Sequence, residues 1–174
     1  MFHRKGDTMN KKTLKLTTLA ITISFAMVLS YIESRIPAFV AIPGIKVGLA
    51  NIAVIFTLYK LGVKEAVVIS LIRVALVSML FGSPVSLIYS FSGAVLSLLS
   101  MILLKKLTPL TTVTISVAGG VMHNIGQIAA ACFMLSTNVV IYYLPFLLIS
   151  GTVAGIVVGI ASALLADRVK ISYK

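Results

Sequence analysis

Charged residues and turn formers cut the chain into six apolar runs, at residues 14–31, 47–59, 65–81, 84–104, 112–135 and 143–166. Crossing a hydrocarbon core about 30 Å thick takes roughly 20 helical residues at 1.5 Å each. The second run reaches that length only if residues 42–46 or 60–62 continue it. Lipid offers no partner to a bare amide or carbonyl, and the runs are too long and too weakly alternating for barrel strands. The pattern predicts an all-α membrane protein with a bundle of six transmembrane helices over residues 14–166, flanked by tails at 1–13 and 167–174.

Small and polar positions inside the runs mark the faces that turn inward. In the third run, Ala66, Ser70, Arg73 and Val77 fall on one side of a helix, with Val68, Leu71 and Ile72 on others. In the fifth, Ser116, Gly119, Gly120, His123, Gln127, Ala130 and Met134 share a face that Asn124 flanks, opposite Val117, Val121, Ile125 and Ile128. In the sixth, Gly151, Gly155, Gly159 and Ala163 recur every four residues, a stripe along which another helix backbone can approach. The first run has weaker stripes, Ala20 with Ser24 and Thr22 with Ala26 and Ser30. Such stripes either pack internally or, left exposed, dock another membrane subunit.

Composition removes the soluble alternatives. Of 174 residues, 59% are hydrophobic and 11% charged, with a mean hydropathy of +1.11; an ordinary soluble domain is about half apolar and a quarter charged. The net charge of +11 is unevenly placed. Arg4, Lys5, Lys11, Lys12 and Lys15 precede the first run, Lys60 and Lys64 follow the second, Lys105 and Lys106 the fourth, and Arg168, Lys170 and Lys174 the sixth. The opposite connections hold Arg35 and Lys46. Cytoplasmic loops retain Lys and Arg, so both termini are expected in the cytoplasm, with the basic side on anionic lipid of the cell membrane and no nucleic-acid partner required. The N-terminal "MFHRKGDTMNKK" and the apolar run after it have the look of a signal peptide. That run is long, however, and "SYIESRIP" lacks a small-x-small cleavage pattern, so it is read as a first helix. Met9 is an alternative start, and Cys132, a lone cysteine, forms no internal disulfide.

One cation stands apart. Arg73 lies mid-run, nine residues from Lys64 and too deep to snorkel easily to either surface. An arginine at the centre of a membrane helix costs roughly 2.5–3.5 kcal/mol on insertion scales, so it should face protein or a wet cavity. The four carboxylates, Asp7, Glu33, Glu65 and Asp167, all lie away from that depth. Either a bound anion accepts the guanidinium's hydrogen bonds, or Glu33 reaching inward and helix carbonyls do. The ladder of His123, Asn124 and Gln127 has a similar pair of readings, ligand contact or hydrogen bonding between helices. No second His or Cys stands at ligand spacing from His123, so no metal site is predicted. The connection "ESRIPAFVAIPGIKVG", with Pro37, Pro43 and Gly44, is either a cap over a cavity or an ordinary loop anchored by Phe39 and Ile42. There is no P-loop and no aspartate cluster for magnesium, and four scattered carboxylates assemble no catalytic set. The chain is not expected to be an enzyme by itself, and no cofactor is predicted.

The strings "IPGIKVGLANI", "LIRVAL", "LFGSP", "SLIYSFSGAVLS", "SVAGGVMHNIGQ" and "YLPFLLISG" together resemble the small bacterial membrane proteins called Gx transporters, often labelled heptaprenyl diphosphate synthase component I. The resemblance covers about residues 14–166, and that group is similar in turn to the S components of energy-coupling-factor vitamin transporters. It implies six helices and a substrate pocket beneath the first outside loop. It also implies a first helix that docks on a transmembrane coupling subunit driven by two ATPases. The docking helix of S components usually shows Ala-x-x-x-Ala, where this chain has Ala20 with Ser24 and Thr22 with Ala26. The expected function is capture of a small, anionic or strongly hydrogen-bonding substrate from outside. Its contacts would be Arg73, Lys46, His123, Asn124 and Gln127, with Asn51 grouped beside them. The resemblance ties that substrate to isoprenoid or quinone metabolism. The alternative is a non-transporting accessory subunit that anchors a soluble prenyl (heptaprenyl) diphosphate synthase through the cytoplasmic lysines.

Overall fold

The computed structural model describes residues 11–35 and 48–169, and these are helical apart from short connections. In order they form α1 (Lys11–Arg35), α2 (Asn51–Lys60), α3 (Val63–Phe81), α4 (Pro84–Leu107), α5 (Thr112–Leu135) and α6 (Leu144–Arg168), with a 3₁₀ segment, Val139–Tyr143, before α6. Helix ends have local causes. Ser83 accepts from the Ser86 amide at 3.2 Å while Ser86 accepts from the Ser83 amide at 2.9 Å, a reciprocal cap, and Pro84 supplies a preset first turn. Gly62, at φ 131°, separates α2 from α3 with a backbone that a side chain would strain. Lys105 of α4 donates to the Leu58 carbonyl at the end of α2 and lies 4.4 Å from the Tyr59 ring centre, so a cation completes a helix C-terminus that has no bonds of its own left.

Four helices, α1, α4, α5 and α6, are long and apolar enough to cross a membrane, which makes the chain a multi-pass membrane protein. The expectation of six spanning helices is met in the number of helices and modified in their kind. At ten residues α2 does not reach spanning length, because a turn at 49–50 precedes it and Gly62 follows it. It is buried from Ala53 to Leu58, hydrophobic on every side, as a helix inside a core is rather than one facing lipid. The 19-residue α3 has the length and the apolar character, but it carries three charged residues, Lys64, Glu65 and Arg73. Outward surfaces are the reverse of a soluble protein's: Phe133 is 87% exposed, and Leu99, Ile149 and Leu164 point out while Ser70, Ser97, Ser116 and Ser162 are buried.

Successive helices run in alternate directions, and the contacts show it. Lys15 pairs with Glu65, joining the starts of α1 and α3, and Tyr31 stacks 5.7 Å from Phe81, joining their ends. The Lys105–Leu58 bond brings the ends of α4 and α2 to the level of those starts. The lysines therefore collect at one end of the bundle and the exposed aromatics Tyr31, Phe81, Tyr142 and Tyr143 at the other. The main apolar core, with Leu58, Ala66, Ile69, Met101 and Ile115 at its centre, fills the lysine end.

Packing is closest around α5. A Cβ built at Gly120 would stand 2.5 Å from the Gly151 carbonyl oxygen of α6, and one at Gly155 would stand 2.6 Å from the Val117 Cα. On the other side, a Cβ at Gly126 would lie 2.7 Å from the Ser92 carbonyl oxygen of α4. The stripe foreseen on the sixth run is thus a seam of backbone against backbone, the arrangement small residues permit between membrane helices.

Candidate functional site

Above the core, toward the aromatic end, the bundle encloses a cavity of about 100 Å³. A single water needs roughly 10–15 Å³ on this scale, so the space takes several waters or a small solute. Every helix contributes. From α1 come Ser30 and Glu33, from the start of α2 Asn51, and from α3 Arg73, Ser78 and Phe81. Helix α4 adds Ser90, Ser97 and Met101. The α5 face brings Ser116, Gly119, Gly120, His123, Asn124 and Gln127, and α6 completes the wall with Gly151, Ala154, Gly155 and Val158. Ile55, Met101 and Val158 belong both to this lining and to the packed core, so the core is the cavity floor.

The sequence periodicity accounts for these placements. On α3 the buried Ala66 and Ser70 continue the line of Arg73 and Val77, while Val68, Leu71 and Ile72 are exposed, as the 3.6-residue repeat requires. On α5 the predicted inward face is the cavity wall from Ser116 to Gln127. Gly93 of α4 makes room for it: a Cβ there would meet the His123 carbonyl oxygen at 2.8 Å and the Gln127 Cγ at 2.9 Å. Five of the six residues foreseen as substrate contacts, Arg73, His123, Asn124, Gln127 and Asn51, therefore line one space. Lys46 and the foreseen cap of residues 37–46 lie outside the described residues.

Asn124 has a second task. Its side-chain amide donates to the Leu147 carbonyl of α6 at 2.5 Å, a tie between helices at a buried position. Glu33 is also held, accepting from the Gly48 amide at 2.5 Å, where Gly48 adopts a φ of 73°. Arg73 makes neither an ion pair nor a hydrogen bond among the described residues, and its Nε is sealed from solvent. The Ser116 hydroxyl, in a side chain 2% exposed, likewise has no hydrogen-bond partner among the described residues. Buried polar atoms left in this condition are few in folded proteins, and here two of them border the same cavity.

The two stripes foreseen on the first helix separate. Thr22 and Ala26 are buried, 5% and 0% exposed, so that pair packs inside the bundle and is removed from any outward docking face. Ala20 and Ser24 remain on the exposed side of α1. The serines Ser78, Ser90 and Ser97 were not singled out from sequence, and Ser30 only as the end of a small-residue stripe; each sits among apolar neighbours where serine is a routine small residue, and only the assembled bundle shows that they share one space.

A family model described as Heptaprenyl diphosphate synthase component I matches residues 22–165. No curated protein and no solved structure matches the chain.

Proposed function

The chain belongs to the heptaprenyl diphosphate synthase component I family, and from there we propose that it is a solute-capturing membrane subunit of an energy-coupling-factor-type uptake system rather than a catalyst. The observation that carries this reading is the cavity itself, in which polar side chains from five of the six helices, α1 to α5, converge around one mid-helix arginine. Intramembrane cations are expensive and mark ligand or ion sites by default. A site of this kind, a cavity with a few convergent polar groups, suits a small polar solute. In this reading six helices cross the cell membrane, α2 being the short one, with both termini and the lysine end cytoplasmic and the aromatic end outside. Helix α1, with Ala20 and Ser24 outward, docks a transmembrane coupling subunit, and two ATPases drive release inward.

The family name favours a second reading, in which the chain is the membrane component beside a soluble prenyl diphosphate synthase. That reading gives Arg73 and the cavity no task. A prenyl chain in the cavity would leave its hydroxyls, amides and two charged side chains without hydrogen-bond partners. Affinity purification from native membranes separates the two. Recovery of a coupling subunit with ATPases supports uptake, and recovery of a synthase alone overturns it.

A further inference from the structure

Resting on the capture reading, the geometry points to a zwitterionic ligand, one that carries a cationic and an anionic group together, as amino acids and betaines do. Two opposite full charges border the same cavity, Glu33 from the end of α1 and Arg73 from the middle of α3. They lie on parallel neighbours whose starts and ends are pinned by Lys15–Glu65 and Tyr31–Phe81, so their separation is set by the bundle. They do not join in an ion pair.

A simple anion would meet Arg73 with favour and Glu33 with opposition, since a charge in so small a space is within reach of both. Inside a protein the interaction of unit charges falls only inversely with distance, so a carboxylate across so small a space still acts on the ligand. The carboxylate therefore decides the ligand's net charge as much as the arginine does. A simple cation faces the mirror problem. A ligand with both charges satisfies both residues and keeps the cavity neutral. Glu33 is prepared for this: the Gly48 amide holds one of its oxygens at 2.5 Å, which fixes the carboxylate, and among the described residues its second oxygen has no further hydrogen bond and can accept from an ammonium group. The guanidinium would take the ligand's acidic group in a fork of two N–H donors.

The test uses the full chain purified in detergent and matched probes: 4-aminobutyrate, butyrate and butylamine; glycine betaine, acetate and tetramethylammonium; and inorganic phosphate. Binding is followed by thermal shift and by calorimetry. In the native chain at least one zwitterion should bind about tenfold more tightly than its own acid and amine counterparts. Glu33→Gln should abolish that preference and strengthen phosphate binding on the order of tenfold, because the opposing carboxylate is gone. Arg73→Gln should lose zwitterion and phosphate alike; should that variant fail to fold, the Glu33→Gln comparison carries the test alone. Phosphate or butyrate binding the native chain as tightly as Glu33→Gln overturns the inference, as does the absence of binding by every zwitterion. Neither result touches recovery of the coupling subunit with its ATPases, so failure here is distinguishable from failure of the capture reading.

Discussion

The two halves of the bundle are built on different principles. Helices α4, α5 and α6 meet backbone to backbone, with glycines at Gly93, Gly120, Gly126, Gly151, Gly155 and Gly159 where no side chain fits. Helices α1, α2 and α3 meet through side chains, and they carry both charges of the cavity, Glu33 and Arg73. In lipid no hydrophobic driving force separates helix faces, so close approach and hydrogen bonds do the holding. The comparison teaches that the glycine half fixes the shape of the cavity, while the other half supplies its charge.

The largest effect should follow from spoiling a seam. Gly120→Ala puts a methyl 2.5 Å from the Gly151 carbonyl oxygen, and neither backbone can step aside locally. Overpacking of this kind costs about 1–3 kcal/mol or more, against the roughly 1 kcal/mol that alanine gains over glycine in a helix. A clear fall in melting temperature is therefore expected in detergent; an unchanged melt would dissolve the distinction between the halves. A smaller loss is expected for Asn124→Ala, which removes the tie to Leu147. Side-chain hydrogen bonds between membrane helices average about 0.6 kcal/mol and reach about 1.7 kcal/mol, so a modest drop in the same melt is the expected result. The smallest stability change belongs to Gly119→Ala. Its new methyl meets the far end of Met101, with Sδ at 2.7 Å, and the Ser97 hydroxyl at 3.2 Å. The flexible thioether can give way, so stability should stay within about 1 kcal/mol of the native chain. The floor of the cavity narrows all the same, and calorimetry with the best-bound zwitterion should show weaker binding. A melt as damaged as that of Gly120→Ala would place Gly119 among the seams instead.

Periodicity made much of this legible. The bounds of α5 and the start of α4 coincide with the edges of apolar runs, since Thr111 and Ser83 are capping residues beside them. The inward faces of α3 and α5 followed from the same repeat, because a charge or an amide in lipid has one affordable direction. Helix α2 was legible only as too short. Its burial on all sides is a tertiary fact, set by α3 and α6 packing on it, and no period within ten residues announces it. The double duty of Asn124 was also hidden, since one side chain reads alike whether its partner is a solute or the Leu147 carbonyl. The sequence named Glu33 as one candidate partner for Arg73, but that the two border one cavity without bonding needed the fold: 40 residues separate them, and the parallel course of α1 and α3 brings them to the same space.

The packed floor has one more consequence. With Ile55, Met101 and Val158 closing the cavity against the tightly filled lysine end, the molecule is a cup and not a pipe. Nothing drains through the bottom while that plug of aliphatics stays intact. Under the proposed capture reading, emptying toward the lysine side would mean prying apart well-packed helices or tipping the vessel whole, and the partner ATPases would supply that work.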